Sequence, residues 1–286
     1  MLRHKKGFTL IELLVVISII ALLLSVLVPS LSMAKERAME VLCETNIRQY
    51  GLGMVMYCND NNNEFASSED WLYLDFTPTN YPRNAGDLRN FNCVWHNAGL
   101  YPDGLITDYL SNSEVSLCPF FKKVGLKLSN CAKGLSNHNP DIPIEPMFSY
   151  SQNAFLGVMR TLKLPDRVGK ITQVKSPFTV FAYAEENPFV LPANARPQLE
   201  KLPLFRSVNT PLNDCLMYII DPRTARTTIE GAGGKKRAEL PFVDCFGSFH
   251  GAKDPEKYLG SSKAVFVDGH IQDVVPEESI LYSWPF

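Results

Sequence analysis

The chain has 286 residues, of which 45% are hydrophobic and 20% charged, with a formal net charge of -2 at pH 7. That length can bury a sizeable core in one large or two small domains, and the absence of any basic excess argues against nucleic acid as a partner. No Gly-x-Ser-x-Gly, His-Glu-x-x-His or phosphate-cradling glycine loop is present, so the sequence points neither to an enzyme nor to a cofactor.

Arg3, His4, Lys5, Lys6 and Gly7 stand directly before Phe8-Thr9-Leu10-Ile11-Glu12 and an apolar run that reaches Val28. A secretory signal carries its small-residue cleavage site behind the apolar core. Here the small residue, Gly7, comes first, so a cut after it removes only a leader, residues 1–7, and leaves Phe8 as the first residue. About twenty apolar residues, 8–28, suffice to cross a hydrocarbon core of roughly 30 Å as a helix. The basic leader places the amino terminus in the cytoplasm and the remaining chain outside. A carboxylate such as Glu12 inside an apolar helix costs roughly 2.5–3.5 kcal/mol and needs a partner. Two are available: the new ammonium of Phe8 on a neighbouring subunit, or solvent at the headgroup level.

The stretch Lys5-Lys6-Gly7-Phe8-Thr9-Leu10-Ile11-Glu12 resembles the prepilin cleavage and methylation motif of type IV pilins and type II secretion pseudopilins. The resemblance implies a prepilin peptidase that cuts after Gly7 and methylates the amine of Phe8. It also implies a single-pass inner-membrane protein with a periplasmic carboxy-terminal domain, which joins other pilin or pseudopilin subunits in a periplasmic or surface fibre. Glu12 would set subunit register there, and Pro29 occupies a position where pilin-like helices often carry proline. The implied fold is α+β: a long amino-terminal helix, half transmembrane and half amphipathic, packed on a loop-rich antiparallel β-sheet domain.

After the span, Pro29 predicts a kink or local unwinding, with Ser30 or Ser32 available to cap a new helix. Residues 29–58 then read as an amphipathic arm, with one stripe through Leu31, Ala34, Ala38 and Val41 and a shifted one through Met39, Cys43, Ile47, Tyr50, Met54 and Tyr57. Gly51 and Gly53 weaken the helix but permit close approach of another backbone. The cluster Asn59-Asp60-Asn61-Asn62-Asn63 ends it, since asparagine tolerates the left-handed conformation. A calcium loop starting at Asp60 fits poorly, because Phe65 stands where an EF-hand needs glycine and Trp71 where it needs glutamate.

Residues 59–286 read as an extracytoplasmic β-rich domain, with twenty prolines and seventeen glycines favouring short strands and long loops. Strands are predicted at 178–183 and 216–220, an exposed loop at 223–239, and a hairpin from Ala264-Val265-Phe266-Val267 through Asp268-Gly269 to His270–Val274. Asp-Gly between alternating runs signals a type I′ turn with positive φ at both central residues. Phe249-His250-Gly251 and Phe266-Val267-Asp268-Gly269-His270 resemble a paired element of large pilin-like proteins from planctomycetes and lentisphaerae. The usual gap of about nine residues between histidine and Asp-Gly is nearly doubled here, so residues 252–262 read as an insertion. Cys43–Met54 and Leu117-Cys118-Pro119 resemble the same group.

His250, Asp268 and His270, with Cys245 nearby, are the candidate metal ligands, although no pair has a diagnostic spacing and the turn already explains Asp268. Glu185-Glu186 read as a solvated strand end. Seven cysteines outside the cytoplasm should form disulfides and leave an odd one. Cys43 and Cys58 on one helix lie about 22 Å apart and cannot pair, whereas Cys118 and Cys131 bracket a short polar loop. Trp71, Tyr73, Phe76, Tyr81, Phe91 and Trp95 pack a core or form a sugar-binding face. The leading functional reading is therefore a fibre subunit, and the alternative is a membrane-tethered binding module for a polysaccharide or protein.

Overall fold

The computed structural model describes residues 9–74, 102–125, 147–158, 167–186, 216–217, 246–247, 249–251, 260–279 and 281–283. The chain forms two compact units, Met1–Val41 and Leu42–Phe286.

Helix α1 runs from Leu10 to Asp60. In the first unit its apolar run is long enough to cross a membrane by length and composition. Its large apolar side chains up to Val28 are all exposed, from 46% at Val16 to 80% at Leu10. Where no water is present, every polar group must find an internal partner. The hydroxyls of Ser18, Ser25 and Ser30 do so by donating to the carbonyls of Leu14, Leu22 and Leu27 at 2.8, 2.7 and 2.8 Å. The local unwinding expected at Pro29 does not occur, because the helix is continuous through it. Ser30 consequently caps nothing: its hydroxyl is spent on the preceding turn.

In the second unit α1 turns one stripe inward. Cys43, Ile47, Tyr50, Gly51, Gly53, Met54 and Cys58 are buried, close to the sequence-derived stripe, while Leu42 and Leu52 stay exposed. Asn62 and Asn63 take φ of 56° and 64°, and the Asn63 N–H donates to the Cys58 carbonyl at 2.7 Å. The asparagine cluster is thus a left-handed helix stop.

Among the described residues, five strands form one sheet in the order β3-β1-β2-β4-β5: β1, Tyr150–Asn153; β2, Phe181–Glu185; β3, Leu216–Met217; β4, Ser262–Phe266; and β5, Ile271–Val274. All pairs are antiparallel except the short edge pair β1–β3. The predicted strand at 178–183 starts later, because the Thr179 N–H closes a turn onto the Ser176 carbonyl. Residues 218–220 and the loop at 223–239 lie outside the described residues.

A register shift between Phe181 and Tyr183 decides which side chains face which layer. One extra residue in β2 breaks the alternation of period two. Phe181 joins Ala184, Met217, Phe246, Ala264, Phe266 and Val274 in one core. Tyr183 instead packs against Tyr50 and Trp71, with ring centroids 5.4 and 4.9 Å apart, on the side covered by α1.

The hairpin is present with β4 and β5 paired from Ser262↔Val274 to Val265↔Ile271, but its turn differs from the expected type I′. Gly269 has φ of 90° while Asp268 does not enter the left-handed region. The Gly269 N–H donates to Phe266 and the Phe266 N–H to His270, both at 2.9 Å. These bonds make a three-residue loop closed by a glycine bulge. Asp268 Oδ1 accepts from the His270 N–H at 3.1 Å, which fixes the loop from the side chain.

Two predictions follow from this packing. A Cβ built on Gly51 would meet Val265 Cγ2 at 2.6 Å. Gly51→Ala should therefore lower the melting temperature, with an overpacking cost of about 1–3 kcal/mol exceeding a helix-propensity gain of up to about 1 kcal/mol. Adding Val265→Ala should recover part of it, and a higher melting temperature in the single variant would refute the close contact. Burial pushes the Cys58 thiol up to about 11 from 9.0, and burial also raises the Tyr150 and Tyr183 phenols well above 10.0. Groups whose folded pKa is raised bind protons more tightly when folded, so their contribution is complete below the unfolded value and is lost as pH rises. Stability should therefore fall as pH rises above about 9, as followed by circular dichroism during alkaline titration.

Candidate functional site

Two groups of residues carry chemistry, one at the start of α1 and one deep in the second unit. At the first, Gly7 and Phe8 lie outside the described residues. Glu12 is described, and it serves its own helix. Glu12 Oε2 accepts from the Thr9 N–H at 2.9 Å and from the Thr9 hydroxyl at 2.8 Å, while the Glu12 N–H donates back to Thr9 Oγ1 at 3.2 Å. This reciprocal arrangement is a capping box. The Thr9-x-x-Glu12 spacing is the sequence signature of this cap, so the partner of Glu12 lies in its own helix. The box holds the carboxylate at the amino-terminal end of the apolar run, where the helix dipole favours negative charge.

The second group is assembled from four distant segments. Cys43 stands on the buried stripe of α1, and Cys118 immediately precedes the short helix α2, Pro119–Gly125. These two form a disulfide across 75 residues. The expectation of Cys118 with Cys131 is therefore wrong, and Cys131 and Cys245 lie outside the described residues. Proximity in sequence misled here, because the contact that matters is between helix and loop. The Tyr50 hydroxyl bonds Ser116 Oγ at 2.8 Å, Asn46 Nδ2 donates to the Leu117 carbonyl at 3.3 Å, and the Cys118 N–H donates to Ser149 Oγ at 2.8 Å. Cys58 is free and buried, and its distance from Cys43 along one helix excludes that pairing.

Glu185 closes β2 and is fully buried, as is Glu186, so the reading of a solvated strand end is overturned. Alternation still separates them. Glu186 Oε2 accepts from Ser151 Oγ at 2.6 Å, whereas Glu185 turns toward the cysteine pair. Glu185 Oε2 accepts from the Lys263 N–H at 2.8 Å. His250 Nε2 lies 3.0 Å from Oε1 and 2.9 Å from Oε2 of the same carboxylate. The same nitrogen is 3.4 Å from Cys118 Sγ. Backbone pairing of His250 with Ser261 and of Glu186 with Phe246 brings the histidine segment to this end of β2. The imidazole is flanked by Phe120 and Phe249, with ring centroids 4.6 and 5.2 Å away. A buried carboxylate survives only with several donors, and backbone and imidazole provide them.

His250, Asp268 and His270 are not gathered into one ligand group. Asp268 Oδ1 lies 2.6 Å from His270 Nδ1 at the exposed hairpin, and the His270 ring stacks on Phe266 at 4.3 Å. Among the described residues, the donors that converge are those of Cys43, Cys118, Glu185 and His250, all buried and within 4.8 Å of one another. Trp71 and Tyr73 are core residues, at 0% and 7% exposure; Phe76, Tyr81, Phe91 and Trp95 lie outside the described residues.

Comparison with known proteins bears on the first group. Residues 2–28 match the prokaryotic N-terminal methylation motif. The chain is also 40% identical over 81 residues to the type IV wide pilus major component PilA4 of Thermus thermophilus. That match covers 28% of this chain and 62% of the relative. No solved structure matches. The amino-terminal segment is thus type IV pilin-like, and it is followed by an α+β architecture with the long helix and antiparallel sheet that the resemblance implies.

The staple makes a direct prediction. Non-reducing peptide mapping should recover Cys43 and Cys118 in one linked peptide, and a Cys118–Cys131 link would refute the geometry. Cys43→Ser should lower the unfolding free energy by roughly 2–4 kcal/mol, since a cross-link over a loop this long removes much freedom from the unfolded chain.

Proposed function

We propose that this chain is a structural subunit of a type IV pilus-like or type II secretion fibre and not an enzyme. The observation that carries the reading is the pairing of a methylation motif over residues 2–28 with a helix whose apolar side chains up to Val28 are all exposed. Such a surface is stable only in lipid or against other apolar helices. A subunit of this kind uses both in turn: it waits in the inner membrane as a single-pass protein, amino terminus inside, and then packs its helix among those of other subunits.

In this reading a prepilin peptidase cuts after Gly7 and methylates Phe8. Glu12 then has two partners in sequence. Before assembly it caps its own helix through Thr9, and in the fibre it meets the amine of Phe8 on a neighbouring subunit. Exchange of one for the other would set register without leaving a bare carboxylate in an apolar setting. The Leu42–Phe286 unit is the part displayed outside the membrane. The alternative of a tethered polysaccharide-binding module loses one of its named contacts, since Trp71 is packed inside the core.

Mass spectrometry of the mature amino-terminal peptide from native cells should find methylated Phe8; an intact leader would count against fibre assembly. Glu12→Ala should still give a processed, membrane-inserted, folded protein, but its recovery in sheared fibre fractions should fall at least tenfold. Normal incorporation of that variant would refute the assembly role of Glu12.

A further inference from the structure

We propose that the reduced chain binds one zinc-class ion through Cys43, Cys118, Glu185 and His250, and that the disulfide is the oxidised, metal-free closure of the same site. This goes beyond the fibre reading and does not depend on it. The four donors come from α1, the residue just before α2, the end of β2 and the strand-like segment at His250, and all are buried within 4.8 Å of one another. A tetrahedral ion with bonds of about 2.0–2.3 Å places its ligand atoms about 3.3–3.8 Å apart. The separation of 3.4 Å between Cys118 Sγ and His250 Nε2 already lies in that range. The 2.9–3.0 Å contacts between Nε2 and Glu185 need to open by only about half an ångström to meet it.

The donor chemistry selects the ion. Two thiolates and an imidazole favour zinc and similar borderline or soft ions over calcium or magnesium. The surroundings are also those of a structural centre. The Lys263 N–H holds Glu185 Oε2 at 2.8 Å, leaving Oε1 to face the ion, and Ser149 Oγ holds the Cys118 N–H. Phe120 and Phe249 fix the imidazole plane from two sides. Such supporting contacts orient ligands and exclude water.

The two states interconvert with balanced chemistry. A dithiol reductant supplies two electrons and two protons, the Cys43–Cys118 bond breaks to two thiols, and the reductant leaves as its own disulfide. Binding of the divalent ion then releases the two thiol protons, and the Nε2 lone pair of His250 forms the bond to the ion. Either state ties the same helix to the same loop.

The test uses the full-length chain in detergent, reduced with dithiothreitol, desalted without oxygen and titrated with Co²⁺. One Co²⁺ per chain should bind with thiolate-to-cobalt charge-transfer absorption and tetrahedral d–d bands, and Zn²⁺ should displace it. The oxidised chain and the Cys43→Ser/Cys118→Ser variant should lack these bands, which separates this site from the other five cysteines of the seven in the chain. His250→Ala and Glu185→Gln, checked for folding by circular dichroism, should each bind Co²⁺ at least tenfold more weakly. Three results overturn the proposal: no thiolate band in the reduced chain, bands that survive loss of Cys43 and Cys118, or unchanged affinity in a folded variant lacking either His250 or Glu185.

Discussion

The packing of one stripe of α1, from Cys43 to Cys58, is the constraint on which the Leu42–Phe286 unit depends. Tyr50 is its centre, with its ring 5.6, 5.4 and 5.4 Å from Trp71, Tyr150 and Tyr183. Its hydroxyl reaches Ser116 Oγ, so a large apolar ring is buried without orphaning its polar end. Two turns earlier the disulfide fixes the loop before α2 to the helix, and at Gly51 the missing side chain lets β4 come close enough for Val265 to fill the space. Area, hydrogen bond and covalent link all act on the same few turns of helix. A slip by one residue would rotate the whole stripe by about 100° and break all three together.

The Met1–Val41 unit obeys a different rule. Its apolar run has no buried stripe, and its hydroxyls are returned to the helix backbone at Ser18, Ser25 and Ser30. Glu12 fits the same rule, because its charge is matched to Thr9 at the one place where a helix leaves N–H groups unused. A carboxylate in the middle of the run would have had no such donors. The position of Glu12 is therefore one at which a charge can be held at the start of the apolar run.

How much of this could be read from the chain depends on the range of the interaction involved. Local signals were reliable: the stripe through Cys43, Ile47, Tyr50 and Met54 came from spacing, the helix stop from the asparagines, and the hairpin from Asp268-Gly269. The hairpin's turn type was missed because Val267 joins the loop, anchored by its N–H on the Val180 carbonyl, a contact no local rule contains. Glu185 was misplaced for the same reason. Its partner His250 is 65 residues away and its Lys263 donor 78 away, and in isolation two glutamates after a strand look like a solvated end. Pro29 shows the converse, since a strong local breaker was overridden by the helix on either side.

Cys43, Cys118 and His250 lie on three segments far apart in the chain: α1, the step before α2 and the element at Phe249-His250-Gly251. The structure joins Cys43, Cys118 and His250 at one point and adds Glu185. Such convergence has a physical cost that argues against accident. A fully buried carboxylate is tolerated only when its lone pairs are occupied, and Glu185 occupies them with a backbone N–H and an imidazole. A hydrophobic residue of similar size would pack at the end of β2 without either requirement, while the disulfide alone would hold helix to loop. The staple therefore does not explain why a carboxylate and a histidine are buried beside it, whereas a shared ligand does.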